Sequence, residues 1–386
     1  MNILVLDQFS DPGGAQLCLM DLIPEMTRRG WRPRIMAPGN GEMLHWCRRA
    51  GVPTDPIPLR QYSSGRKTGA DLMRFSIDVP RMVAAVRRIV RRERVDLIYV
   101  NGPRVLPSVM GLSVPVVFHA HSVPGGYWSR KLVAWMLRRT NATVIAASEY
   151  VAERLGSGHK IYNGVADLQN RLRQLDRRPI RVGILGRIAP EKGHLDFVQA
   201  AQQIVESGGD AKFFVYGERL FSDCDYDTRI RALARNAPVT FCGWTNDIAE
   251  ALRNMDILAV PSGPGEAATR VIMEAFSAGT PVVAYRSGGI PELVEHGRTG
   301  ILTETANGGS LASGIRMLMD DPELMKRLSA AGRNEWQQRF RVERFQNEVC
   351  DLLEKATKPA RHFSPASHQF VSGTTPSTTT TGTHRG

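Results

Sequence analysis

The sequence predicts an α/β protein made of two facing, doubly wound parallel sheets. Three observations predict it. Short apolar runs alternate with helix-length amphipathic segments from the first residues onward, which is the pattern of βαβ units in a parallel sheet. The alternation breaks once, at the polar, proline-ended stretch RLRQLDRRP (171–179), and then restarts. A chain of 386 residues, 42% hydrophobic and 23% charged, has ordinary globular composition and is long enough for two cores.

The elements follow in order. NILVLD (2–7) reads as a strand, 13–30 as a helix and RPRIMAP (32–38) as a strand. DVPRMVAAVRRIVRRER (78–94) is a basic amphipathic helix. VDLIYVN (95–101), VPVVFHAHS (114–122) and ATVIAAS (142–148) continue the strand series. After the linker, IRVGILGRI (180–188) opens a second series. It runs through a helix over 192–207, strands at AKFFVYG (211–217), VTFCG (239–243) and DILAVPS (256–262), a helix over 269–278 and a strand at TPVVAY (280–285). A last helix lies around 333–356, and the Ser/Thr/Gly/Pro-rich end cannot bury a core, so it is expected to be disordered. The expected division is 1–170, a linker at 171–179, 180–335, a closing helix at 336–356 and a tail at 357–386.

Several classes are excluded. No apolar run nears the ~18 residues of a membrane helix. The start MNILVLDQFSDPGG lacks a basic region before its apolar run, so no secretory signal is expected. Five scattered cysteines without metal-like spacing (18, 47, 224, 242, 350) read as reduced thiols, which predicts a cytoplasmic protein. No G-x-G-x-x-G follows the first strand, which argues against a dinucleotide-dependent dehydrogenase. The net charge of +12 is asymmetric. Residues 1–178 carry 27 Lys and Arg against 14 Asp and Glu, and residues 179–386 carry 23 against 24. The basic half suits an anionic surface. No nucleic-acid-binding module accompanies it, so a membrane leaflet is the expected partner rather than nucleic acid.

The chemistry gathers in PGEAATRVIMEAFSAGTPVVAYRSGG (264–289), where seven residues separate Glu266 from Glu274. Thr269 is placed to cap the helix that follows, and the amide groups of that helix's first turn suit an anion such as a diphosphate. The scale fits a nucleotide sugar laid across the helix start. One carboxylate would take ribose hydroxyls, the other sugar hydroxyls. GRIAPEKGH (186–194) supplies Arg187 and Lys192 at the carboxyl end of the second domain's first strand, where two cations can neutralise a departing diphosphate without a metal. A D-x-D pattern at Asp223 and Asp225 is read as a solvated loop rather than a metal site.

GRIAPEKGH, FCGWTNDI, DILAVPS, the paired glutamates, AGTPVVAYRSGGIPELVEHGRTGIL and YNGV occur here in an order and spacing that resemble glycosyltransferase family 4, the group 1 glycosyltransferases. The resemblance spans about residues 2–352. It implies the GT-B fold, two Rossmann-like domains with the final helix crossing back to the first, and retaining, metal-independent sugar transfer with no cofactor. It implies that Glu274 holds the donor ribose, Glu266 the transferred sugar, and Arg187 and Lys192 the diphosphate. Gly13 and Gly14 of DPGGAQ resemble the family's glycine loop. In FHAHS, His121 is the choice for the histidine near the reacting carbon, with His119 the alternate; Ser148 and Asn163 match positions that shape interdomain loops. The family commonly has Phe-Gly where Ala268 and Thr269 stand, which leaves the donor sugar open.

The expected reaction moves a sugar from a nucleotide-diphosphate sugar to a hydroxyl of a lipid-linked or membrane-proximal glycan in bacterial polysaccharide biosynthesis. The helices within 81–94 and 129–140, basic with apolar centres, would hold the protein peripherally at the inner face of the membrane. The alternatives are a nucleotide-sugar epimerase of the same architecture, with no acceptor, and a nucleotide-sugar-binding protein without turnover.

Overall fold

The computed structural model describes residues 1–60, 69–168, 178–219, 224–304 and 307–358. Most of the expected linker (171–177), Asp223 and nearly all of the expected tail (359–386) lie outside the described residues.

The first half contains β1 (Asn2–Asp7), α1 (Gly14–Arg28), β2 (Arg32–Ala37), α2 (Glu42–Arg49), β3 (Thr54–Pro56), α3 (Gly69–Glu93), β4 (Leu97–Asn101), β5 (Val116–Ala120), α4 (Tyr127–Arg139), β6 (Thr143–Ala146), α5 (Glu149–Leu155) and β7 (His159–Lys160). Its strands form one parallel sheet in the order β3-β2-β1-β4-β5-β6-β7. The second half contains β8 (Ile180–Leu185), α6 (His194–Glu206), β9 (Ala211–Tyr216), α7 (Cys224–Leu233), β10 (Val239–Gly243), α8 (Ile248–Arg253), β11 (Ile257–Val260), α9 (Arg270–Ala278), β12 (Val282–Tyr285), β13 (Ile301–Thr303), α10 (Gly308–Asp320), α11 (Pro322–Glu335) and α12 (Val342–Thr357). Its parallel sheet runs β10-β9-β8-β11-β12-β13. The architecture is the two-sheet α/β fold expected from the alternation.

Central strands such as β4, β5 and β11 are buried at every position, as a parallel sheet covered on both faces requires. Helices cover both faces of each sheet, giving two apolar layers per half. The edge strands β3, β7 and β13 have only two or three residues, too few for a period to show in sequence. Helix α3 begins at Gly69, well before the expected 78–94. Its added turns expose Leu72, Met73 and Ile77 and turn only Phe75 toward the core, which leaves little apolar stripe to read.

The closing segment is broken where one helix was expected. Trp336–Phe340 forms a π-turn whose Trp336 and Phe340 still pack in the second half. Arg341 is extended, and α12 then buries Phe345, Val349, Cys350 and Leu353 in the core of the first half. The chain recrosses beside its first crossing. Val165 N donates to the Phe340 carbonyl at 2.9 Å, and Val342 N to the Val165 carbonyl at 3.2 Å.

Candidate functional site

In each sheet the strand order reverses once, between β1 and β4 in the first and between β8 and β11 in the second. Ligands of doubly wound sheets bind outside the carboxyl ends of the strands at that reversal. In the second half, Lys192 follows β8 and Glu266 follows β11. The Lys192 Nζ lies 2.6 Å from the Glu266 Oε2. Both are held by loops clamped backbone against backbone. Gly193 has φ 74°, and a Cβ there would lie 2.0 Å from the Pro261 carbonyl oxygen. A Cβ on Gly289 would lie 1.7 Å from the Ala267 carbonyl oxygen. Only glycine permits either approach.

Arg187 stands on the same edge, but its guanidinium pairs with Glu191 at 2.5 Å rather than with that carboxylate. Glu191 was legible in GRIAPEKGH, four residues after Arg187, and sequence reasoning passed over it. Ala268 is half-buried and Thr269 buried. Thr269 occupies the N-cap position of α9 but does not cap it: its hydroxyl accepts from no first-turn amide and lies buried without a partner among the described residues. The first turn of α9 is therefore left without a cap from its N-cap side chain.

Glu274 lies one turn into α9 and is buried. Its Oε1 accepts from Arg270 Nε at 2.7 Å. Arg270 Nη1 reaches across to α1 of the other half, donating to Asp21 Oδ2 at 2.7 Å and to the Gly164 carbonyl at 3.3 Å. Burial works against the Arg270 cation, but Glu274, Cys18 and Asp21 together hold its pKa above the usual guanidinium value. Sequence reasoning missed this bridge because Asp21 and Arg270 are remote in the chain.

In the first half, Gly13 and Gly14 are exposed at the start of α1. Gly13 has an ordinary extended φ of −119°, so its conformation does not demand glycine. A Cβ on Gly14 would meet nothing within 4 Å, which leaves open space before the loop. His119 is fully buried in β5, with Tyr99 Oη on its Nδ1. His121 follows the strand end. The two rings stack at 3.9 Å, on one side of the sheet as strand alternation requires. Burial holds both rings neutral, His119 well below the usual range and His121 at about 3. His121 Nε2 lies 2.8 Å from Asn101 Oδ1. Asn101 and its partner Asp7 are further site residues that sequence reasoning missed. The available signal was a polar residue closing the apolar run of two strands, ILVL before Asp7 and LIYV before Asn101.

The two halves are tied around this cleft. Glu292 accepts from the backbone N–H groups of Glu149 and Tyr150, at 2.8 and 2.7 Å, and from the Tyr162 hydroxyl at 3.0 Å. A carboxylate at the α5 N-terminus suits the helix dipole. Ser148 caps the same helix by accepting from Val151 N at 3.3 Å. The Tyr150 hydroxyl donates to the Pro264 carbonyl. Asn163 is buried, its Oδ1 without a partner among the described residues.

Residues 13–163 match the family described as "Glycosyl transferase 4-like domain", and residues 179–321 match "Glycosyl transferases group 1". The chain belongs to the group 1 glycosyltransferases. This transferase is 26% identical over 348 residues to the phosphatidyl-myo-inositol mannosyltransferase of Mycobacterium leprae, covering 84% of this chain and 88% of that one. It is 32% identical over 156 residues to the alpha-D-kanosaminyltransferase of Streptomyces kanamyceticus, a match spanning 40% of each chain. Among solved structures it resembles Anabaena Alr3699/HepE in complex with UDP and glucose, with a TM-score of 0.76 and 25% identity over 92% of this chain and 99% of that one. The two-sheet architecture is thus GT-B.

Proposed function

We propose that the transferase moves a sugar, with retention and without a metal, from a nucleotide-diphosphate sugar to a hydroxyl of a lipid-linked or membrane-proximal glycan in bacterial polysaccharide biosynthesis. The observation that carries the donor side is the Lys192–Glu266 pair at the carboxyl edge of the second sheet, beside a helix start without a side-chain cap. There the diphosphate takes the α9 amides and Lys192, with Arg187 joining once it leaves Glu191, as opposite charges in a partly buried site favour. Glu266 takes hydroxyls of the transferred sugar and Glu274 those of the ribose. Glu274 Oε1 is held by Arg270, which leaves Oε2 to accept them.

The acceptor hydroxyl oxygen bonds to the anomeric carbon as the bond from that carbon to the diphosphate oxygen breaks. Both events occur on one face, and the leaving diphosphate oxygen takes the acceptor's proton. Lys192 and Arg187 stabilise the charge that develops on it. The relatives reported above are named transferases, so the epimerase alternative of the same architecture is set aside.

The acceptor side rests on α4. Trp128, Leu132 and Trp135 stand at i, i+4 and i+7, exposed at 81%, 54% and 50%, beside an exposed Tyr127. Arg130, Lys131, Arg138 and Arg139 belong to the same helix. An apolar stripe among cations suits the surface of an anionic leaflet. No described helix is long and apolar enough to cross a membrane.

The donor reading is tested by thermal shift against UDP-, GDP- and ADP-sugars, repeated on Glu274→Gln. One nucleotide class is expected to stabilise the wild type and to lose its effect in the variant. No shift with any sugar nucleotide would overturn the reading.

A further inference from the structure

Asp7, Asn101 and His121 stand at the carboxyl ends of the neighbouring strands β1, β4 and β5, where the first sheet reverses its order. Asp7 and Asn101 are partners in register. Asn101 Nδ2 lies 2.6 Å from Asp7 Oδ2 and 3.3 Å from the Ala15 carbonyl oxygen. A carboxylate and a carbonyl only accept, so the amide nitrogen must face them. That turns Asn101 Oδ1 toward His121 Nε2, 2.8 Å away. An amide oxygen also only accepts, so Nε2 must carry the imidazole proton. The neutral ring then has a bare lone pair at Nδ1, which is buried and without a partner among the described residues.

We propose that Asp7 and Asn101 are positioning residues that lock His121 in its Nε2–H tautomer, so that Nδ1 accepts a hydrogen bond from a substrate hydroxyl in the cleft. The inference rests on the sugar-transfer reading of that cleft. It makes the His121 ligand an O–H donor and rules out a phosphate oxygen, which would oppose the lone pair. The same carboxylate steadies the glycine loop. Asp7 Oδ1 accepts from Phe9 N at 2.9 Å and from Gln16 Nε2 at 2.8 Å, while Gln16 Oε1 accepts from Gly13 N at 3.2 Å. One buried group thus fixes both the loop and the ring. His119, stacked on the other ring and bonded to Tyr99, is committed within the core.

Asp7→Asn is the decisive variant. Its new amide N–H₂ group donates where Oδ2 accepted, so Asn101 must turn its oxygen toward position 7. Asn101 then presents N–H to His121 Nε2, and the ring is expected to switch to Nδ1–H. Nitrogen-15 spectra of histidine-labelled protein, assigned by the signals lost in His121→Ala, should show Nε2–H in the wild type and Nδ1–H in Asp7→Asn. Asn101→Asp keeps an accepting oxygen toward Nε2, with a proton shared between its other oxygen and Asp7 Oδ2 in place of the lost amide donor, and is expected to keep the wild-type tautomer and more activity than Asp7→Asn. With the thermal-shift-active donor, kcat/KM should fall on the order of 10- to 100-fold in Asp7→Asn and equally in His121→Ala, the effect of one unmade buried hydrogen bond. The double variant should fall no further. A rise in donor KM assigns the hydroxyl to the transferred sugar, and a rise in acceptor KM assigns it to the acceptor. Nδ1–H in the wild type, an unchanged tautomer in Asp7→Asn, or losses that multiply in the double variant would overturn the proposal. The tautomer is read without turnover, so a wild type that transfers no sugar refutes the functional reading alone.

Discussion

Asp7 is a carboxylate buried at the end of β1, away from the water its type prefers. It is fully buried, and desolvation raises its pKa from 3.8 to about 6 despite hydrogen bonds from Asn101, Phe9 and Gln16. The folded state therefore holds the Asp7 proton more tightly than the unfolded chain does. Its favourable contribution is complete below 3.8 and is lost as pH rises through about 6, leaving a destabilisation of about 3 kcal/mol at pH 7. His119 and His121 act in the opposite direction, because the unfolded chain charges below 6.5 while both rings stay neutral in the fold. Only the difference between wild type and Asp7→Asn isolates the carboxylate. Urea unfolding from pH 4 to 7.5 should show Asp7→Asn gaining stability relative to wild type as pH rises, with most of the change between 4 and 6. A difference that stays flat across that range would refute the buried charge.

At the scale of elements, the two chain crossings between the halves pack closely against each other. A Cβ on Gly164 would lie 2.6 Å from the Arg341 carbonyl oxygen and 2.7 Å from Phe345 Cβ. Gly164→Ala is expected to lose about 1–3 kcal/mol in urea unfolding, as overpacking does. Gly14→Ala meets nothing within 4 Å and is the control expected to lose none. Helix α4 carries the other element-scale prediction. Wild-type protein should co-sediment with vesicles containing anionic lipid at low salt, and Trp128→Glu with Trp135→Glu should weaken that binding severalfold. Equal binding by both proteins would remove α4 from the membrane reading. The strands and most site helices were legible because their apolar period is local. The break at Arg341 was not, because its cause is a partner at Val165, far away in sequence.

Across the cleft, ion pairs join packing in linking the two halves. Asp21, Arg270 and Glu274 form one chain of ion pairs from α1 in the first half to α9 in the second. Arg270→Leu leaves both carboxylates without their cation and leaves Glu274 unoriented. Donor affinity by calorimetry should fall roughly tenfold, the effect of one lost charge-assisted hydrogen bond of about 1.5 kcal/mol. Arg270→Lys should recover part of it, and small-angle scattering of Arg270→Leu should report a larger radius. Unchanged affinity and radius together would show that the bridge does neither.

Sequence alone determined the two doubly wound sheets, the family, and the segments that carry Gly13, Gly14, His121, Arg187, Lys192, Glu266 and Glu274. These are written in local periodicity and in short motifs at strand ends, where one strand's chemistry is complete within a few residues. Only the tertiary structure decided which groups meet. It paired Lys192 with Glu266 and Arg187 with Glu191, gave Glu274 to Arg270 and Asp21, and placed Asp7 and Asn101 beneath His121. The physical reason is strand order: β1, β4 and β5 are neighbours in the sheet, but Asp7 stands 94 residues before Asn101 and Asn101 20 before His121, so their polar ends become one hydrogen-bonded unit only when the sheet closes.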